Sequence, residues 1–514
     1  MNKGENIDCC FIVASSSSKS YQELSKTYSA IEAPTWALLL AQSVRSVGFN
    51  PSILDANAEG LNEQEILKRI TDMNPRLICF VVYGQNVNAG TTNMSGATYV
   101  SNYLKEHITI PIAYIGSHIQ ALPIEALKNE PSIDFGFTNE GVYALRNILS
   151  LSKIDDQTIA DINGIVRRKD DDVIINFPEK IVPNDRMDID LPGYAWDLLP
   201  YNERPLDMYR SPMWHAEYDF DKRSPYASLQ TSLGCQFKCS FCMINLINRD
   251  NTDEIGVSSN YSGMRFWSPN FIIREFDKLI DMGVKTIRIV DEMFLLNQQY
   301  YVPLCKLLAE RNKDDSLRMW SYSRIDTIKR PETLSLVRKA GIKWLCLGIE
   351  SGDKKVRLEV AKGKFEDVDV VDVINKVHDA DINVMANYIF GLPGDTRETI
   401  KKTLDLSKEL CTAGWNTYAA MALPGSRLYL EAKSKNIPLP DSYEAFSFHS
   451  YDTLPLPTDS LSAAEILKLR DEAFLDYHTH KPFLEMIEKK YGKTASSNIQ
   501  EMTKIKLQRK IFGD

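Results

Sequence analysis

Apolar runs and amphipathic stretches alternate along the first 150 residues. Residues 7–14 form a continuous apolar run that ends in serines, the pattern of a buried strand opening into a loop. Residues 33–47 carry Trp36, Leu39, Leu40, Val44 and Val47 at helical spacing, and Gly48 stops them. The same reading gives strands at 50–55, 77–82, 111–115 and 135–137. It gives helices at 63–71 (capped by Asn62), 100–107, 124–128 and 142–151. Strands that alternate with helices predict a mostly parallel sheet covered on both faces, with ligands beyond the carboxyl ends of its strands. The loops at those ends are small and polar: Ser15 to Ser18, Gly84 to Asn88, Gly116 to His118 and Asn139 to Gly141. They fit either a large flat ligand that approaches the backbone closely or ordinary turns.

Residues 151–228 read differently. A small hairpin at 165–176 is followed by an acidic, proline-punctuated connector. From 229 to 425 the strand–helix alternation resumes, with strands at 229–232, 286–290, 319–324, 344–349, 384–390 and 416–419. Polar clusters close these strands: Asp291-Glu292, Ser323-Arg324, Glu350-Ser351-Gly352 and Gly391-Leu392-Pro393-Gly394. Active sites of parallel barrels gather at such ends. Residues 426–514 are predicted to be loops followed by helices, the first opened by a capping box at Ser462 and Glu465, the others at 482–490 and 499–510. Tyr443, Phe446, Phe448, His449 and Tyr451 crowd the loop before them, and Lys504 to Arg509 read as a solvated helix face.

Composition narrows the class. The chain has 514 residues, is 44% hydrophobic and 25% charged, and carries a net charge of −9. Broad disorder and a nucleic-acid footprint are both excluded on these numbers. No apolar run is long enough to span a membrane and no signal peptide core is present, so the expected location is the cytoplasm. Nine cysteines are too few for a disulfide scaffold.

Three of those cysteines fall in eight residues, as Cys235-x3-Cys239-x2-Cys242. Three thiolates can hold three irons of a 4Fe–4S cluster and leave the fourth iron open to a substrate. The competing reading is zinc, which asks for a fourth Cys or His at recognisable spacing; the nearest upstream histidine is His215, 20 residues away.

The Cys-x3-Cys-x2-Cys loop resembles the signature of the radical S-adenosylmethionine (SAM) superfamily. That resemblance implies a partial (β/α)6 barrel over 229–425, with the fold class α/β throughout. It implies that Cys235, Cys239 and Cys242 ligate a 4Fe–4S cluster whose open iron takes the amino and carboxylate groups of SAM. Phe241 would pack near the adenine, and Asp291, Glu292 and Glu350 would contact the amine or ribose. Arg324 would pair with the methionine carboxylate, and Gly391 and Gly394 would admit the adenine to the backbone. Each acid or arginine also fits a barrel-mouth salt bridge.

The first 150 residues are similar to the cobalamin-binding, Rossmann-like domain fused to some radical SAM enzymes. The likeness rests on residues 12–18, Pro34 with the helix through Leu40, Asp55, Gly116-Ser117-His118 with Leu122-Pro123, and Glu140-Gly141. It implies that Ser15, Ser17, Gly84, Gln85, Asn86, Gly116, Ser117, His118, Glu140 and Gly141 face the corrin ring and its nucleotide tail. The Asp-x-His-x-x-Gly loop that supplies a lower histidine to cobalt is absent from the first-strand loop, so cobalamin without that ligand is expected. Together the resemblances imply methylation of an unactivated carbon of a small-molecule substrate, fed by a flavodoxin- or ferredoxin-type electron donor. Three alternatives stand: a cobalamin-using cyclisation, ring contraction or rearrangement; an epimerase or dehydrogenase without cobalamin; and a non-enzymatic cobalamin sensor.

Overall fold

The protein is described here as a computed structural model covering residues 6–84, 87–250, 256–328, 330–360 and 367–514. Two parallel sheets dominate it. The first contains β1 (Cys9–Val13), β2 (Pro51–Asp55), β3 (Leu77–Val82), β4 (Ile112–Gly116), β5 (Phe135–Phe137), β6 (Ile165–Lys169) and β7 (Asp172–Ile175), in the order β2-β1-β3-β4-β5-β6-β7. Strands β1 to β5 are parallel, while β6 and β7 add to the edge as an antiparallel hairpin. The first four strands are buried along almost every residue, which is why they read as apolar runs with no period of two. The order 2-1-3-4-5 places a topological switch between β1 and β3, where a crevice opens beyond the strand ends.

β8 (Tyr226–Leu229), β11 (Thr286–Ile289), β12 (Arg318–Arg324), β13 (Ile342–Glu350), β14 (Asn383–Phe390) and β15 (Gly414–Ala419) form the second sheet, all parallel and adjacent in chain order. Helices on its outside connect them, among them Pro269–Asp281, Gln298–Arg311, Val370–Asp379 and Arg397–Leu410. Six strands in sequence make an open, partial barrel. A separate ribbon of β9 (Ser232–Cys235) and antiparallel β10 (Gly263–Phe266) stands at its first strand. The chain ends in the helices Ala463–His478, Lys481–Tyr491 and Lys493–Thr503. No helix among the described residues is long and apolar enough to cross a membrane.

Several expectations are corrected. The strand expected at 229–232 is two strands, β8 and β9, broken at residues 230 and 231. The helix expected at 100–107 spans Gly90–Lys105, because burial of Thr91, Thr92, Ser95 and Thr98 overrides their weak helical preference. The helix Gln298–Arg311, with Pro303 inside it, was not anticipated. The last helix ends at Thr503. Beyond it, Arg509 is buried, paired with Asp471 at 2.9 Å, and not part of a solvated helix face.

Candidate active site

The cysteine loop starts where β9 ends. Gly234 has φ +82° and lies so close to Asn248 and the Gly263 carbonyl that a Cβ would collide with both, so glycine is required just before Cys235. The Cys235 amide donates to Asn245 Oδ1 at 2.8 Å, and the Cys242 amide to the Cys239 carbonyl at 3.2 Å. All three cysteines line one cavity of about 1430 Å³, counting its open mouth. Its walls include Glu292, Arg324, Gly348, Glu350, Asn387 and Tyr418, each at the carboxyl end of a barrel strand or just beyond it.

Each sulfur has an N–H donor from a different source. The Phe237 amide faces Cys235 at 3.4 Å, Arg324 Nη1 faces Cys239 at 3.7 Å, and Asn88 Nδ2 faces Cys242 at 3.9 Å. Burial pushes the Cys235 thiol up to about 12 and the Cys239 thiol to about 11, and raises Cys242 well above the ordinary value. A metal reverses this, because coordination deprotonates a thiol outright. Among the described residues no three His, Cys, Asp or Glu side chains are gathered tightly enough for a single ion. A cluster asks for a different arrangement: each thiolate takes its own iron, so the sulfurs border a volume instead of converging on a point. The donor set and the cavity fit that demand. His215, the zinc candidate, binds the Arg318 carbonyl at 3.1 Å, at the opposite end of β12.

The acidic residues divide sharply. Asp291 accepts from the Thr231 amide, the Thr231 hydroxyl and the Ser232 hydroxyl, each at 2.6 Å. It fastens the break between β8 and β9 and therefore aims the cysteine loop; its carboxylate is engaged in doing so. Glu292 and Glu350 line the cavity, and burial raises both carboxyls to about 7, against the lowering field of Arg288 on Glu292 and of Arg324 on Glu350. Glu350 sits at φ +66°, where the pairing of β13 with β14 shifts register after Gly348. A Cβ on Gly348 would come within 2.4 Å of the Glu350 carboxylate, so that glycine makes room for it.

Arg324 is ion-paired with Asp326 through two 2.6 Å contacts and lies over the Phe237 ring, 3.6 Å from its centroid. It braces the Cys239 sulfur and is not poised as a lone carboxylate clamp. Phe241 lines the cavity. Gly391 and Gly394 do not line it; Ile389 and Asn387 do. The Gly391 amide binds Asp395 at 3.0 Å, and its α-carbon packs on Ile466 of the helix Ala463–His478, leaving no room for a side chain.

A second cleft opens at the β1/β3 switch point. Ser16, Ser17, Trp36, Tyr83, Gly84 and Asn93 line it on one side, and Ser228 and Val290 of the barrel on the other. It shares Tyr21, Ala89 and Thr92 with the cysteine cavity, so the two spaces adjoin. Among the described residues the buried Trp36 indole N–H there has no hydrogen-bond partner. Among the described residues no histidine lines this cleft. Ser15 is exposed beside it, and its backbone packs against Gly96. Gly116 and Ser117 pack against the end of β3 and Gly90. His118 is buried, 3.3 Å from the Thr91 hydroxyl, and lines a separate cavity with Tyr443; burial lowers its imidazole to about 4. Glu140 pairs with Arg265 at 2.7 Å and Gly141 caps the following helix; neither lines the cleft. Gln85 and Asn86 lie outside the described residues.

Residues that sequence reading passed over complete the walls. Tyr21, Met421 and Leu423 line the cysteine cavity, together with Asn88 of the loop already marked at 84–88 and with Phe446, Phe448 and His449 of the aromatic loop before the C-terminal helices. Among the charged side chains of the lining, only Glu292, Glu350 and the paired Arg324 occur within the described residues.

The profile of the radical SAM superfamily matches residues 229–407, the stretch that carries the cysteine loop and the first strand–helix units of the barrel. The chain carries a radical SAM domain. Over almost its whole length the chain is similar to the methyltransferase TsrM of Kitasatospora setae, solved with cobalamin and a [4Fe-4S] cluster. The TM-score is 0.67 at 15% identity, covering 97% of this chain and 99% of that one. It is also similar to the cobalamin-dependent enzyme OxsB, solved with aqua-cobalamin and S-adenosylmethionine, at TM-score 0.57 and 16% identity over 95% of this chain and 63% of that one. These likenesses establish the fold. In sequence it is 23% identical to an uncharacterised methyltransferase of Pyrococcus horikoshii, over 87% of each chain. It is also 23% identical to the anaerobic magnesium-protoporphyrin IX monomethyl ester cyclase of Rubrivivax gelatinosus, over 88% of this chain and 75% of that one.

Proposed function

We propose that this radical SAM protein is a cobalamin-dependent enzyme that methylates an unactivated carbon of a small, largely apolar substrate. The observation that carries the reading is the adjoining of the two spaces: a three-cysteine cavity at the barrel mouth opens onto a switch-point cleft whose buried indole donor has no partner among the described residues. Cys235, Cys239 and Cys242 would hold the cluster, and Ser16, Ser17, Trp36, Tyr83, Gly84 and Asn93 would hold the corrin. A bound cluster would supply the electron for reductive cleavage of SAM to methionine and a hydrogen-abstracting 5′-deoxyadenosyl radical, and a bound corrin would supply the methyl carrier. Glu350 and Glu292 accept hydrogen bonds from the cationic cosubstrate, and Asp291 keeps the cysteine loop in register. Phe446, Phe448 and Tyr418 exclude water from the radical. With Arg324 engaged by Asp326, the described residues of the lining offer no further cation to a phosphate or carboxylate, which favours an uncharged substrate. A flavodoxin- or ferredoxin-type protein would deliver the electron.

Anaerobic reconstitution with iron, sulfide and cobalamin tests this. The wild type is expected to show cluster absorption near 400 nm by general iron–sulfur chemistry, to bind cobalamin, and to form 5′-deoxyadenosine from SAM. Cys239→Ala is expected to lose the cluster and that product. Deoxyadenosine formation at an unchanged rate in the variant would refute the assignment. Label from the SAM methyl group in the substrate's product distinguishes methyl transfer from the second reading, a non-methylating cyclisation, which the cyclase relative supports.

A further inference from the structure

Asn88 belongs to the first sheet's loop after β3, yet it touches the cysteine loop of the barrel twice. Its Oδ1 accepts from the Met243 amide at 3.0 Å, and its Nδ2 faces the Cys242 sulfur at 3.9 Å. The first contact fixes the second. An amide N–H must meet an oxygen, so the side chain cannot flip without setting two donors against each other, and its NH2 group is therefore turned to the sulfur. Phe237 and Arg324, the donors to the other two sulfurs, both come from residues 229–425, which hold the cysteine loop and the barrel; Asn88 comes from the other sheet. The residues next to Asn88 lead directly to the switch-point cleft, since Ala89 and Thr92 line both spaces.

We infer that Asn88 is a positioning residue that holds Cys242 and raises the reduction potential of the cluster from the first domain. The inference rests on the cluster assignment proposed above. An N–H directed at a thiolate ligand stabilises the reduced, more negative cluster, and hydrogen bonds to the sulfurs are one of the levers that set such potentials. The tie also means that anything that shifts the loop after β3 acts on Cys242.

Two variants of the full, reconstituted protein separate the contacts. Asn88→Asp keeps an acceptor for the Met243 amide and removes the donor to sulfur; Asn88→Ala removes both without adding charge. Both are expected to carry a cluster whose potential, followed by electron paramagnetic resonance in a redox titration, is more negative than that of the wild type. The Asp variant is expected to shift further, because its charge adds to the lost donor. If both variants titrate with the wild-type potential and signal, Asn88 has no such role. A wild type that takes up no cluster would overturn the proposed function, and this inference with it.

Discussion

At Glu350 the backbone adopts a left-handed conformation that a non-glycine residue rarely takes, and it does so beside a register shift in β13. Such strain persists where surrounding structure over-determines it, and here it turns a carboxylate into the cavity. The carboxyl is lifted from its ordinary 4.5 to about 7 by burial. An acid with a raised folded-state pKa holds its proton longer when folded than when unfolded. Stability therefore falls as pH rises from about 4.5 to about 7 and stays lower above that. The displacement corresponds to about 3 kcal/mol. Glu350→Gln in the cluster-free protein is expected to raise the melting temperature at pH 8 and leave it nearly unchanged at pH 5. A variant that melts with the wild type at both pH values would disprove a costly buried charge at Glu350. Residue type alone showed that acids cluster after β11 but not that neighbours differ: Asp291 is shorter and reaches back to three donors, while Glu292 is left in the cavity. Asn88 was equally illegible, because an asparagine in a polar loop carries no sign of the sulfur it meets.

Among the elements, strands were the most legible. Parallel strands covered on both faces are mostly apolar, so β1, β3 and β4 announce themselves as apolar runs. Two caps were legible as well: the boxes Asn62/Glu65 and Ser462/Glu465 both form. The helix Gly90–Lys105 was only partly visible, because its first three turns hold glycine, threonine and serine that serve close packing. Gly96 explains why. A Cβ there would sit 2.1 Å from the Ser15 carbonyl oxygen, which is backbone, and the Gly96 amide donates to Ser16 Oγ at 2.9 Å. Gly96→Ala must push the serine loop away from the helix. The expected outcome is weaker cobalamin binding, read by equilibrium titration, with the cluster content retained; undiminished affinity would show that the loop gives way without reshaping the cleft.

At the scale of the whole molecule, a buried ion pair between Glu32 and Arg288 of β11 joins the segment before the helix Thr35–Arg45 to the barrel. Arg288 also lies over the Trp320 ring, 4.6 Å from its centroid. Arg288→Met alone leaves Glu32 buried and unpaired and is expected to destabilise by about 3–5 kcal/mol. Combining it with Glu32→Gln should recover much of that loss in urea unfolding, and additive losses would argue against direct coupling. The cavity between the sheets has a further consequence of being assembled from distant parts of the chain. Gln22 donates to the His449 carbonyl at 2.7 Å, 427 positions away, and the loop that contains His449 walls the cysteines. A ribosome that has released both sheets has therefore not yet finished the chamber. During synthesis the wall over the thiols therefore stays incomplete until Phe446 to His449 have emerged, after β15 is already made.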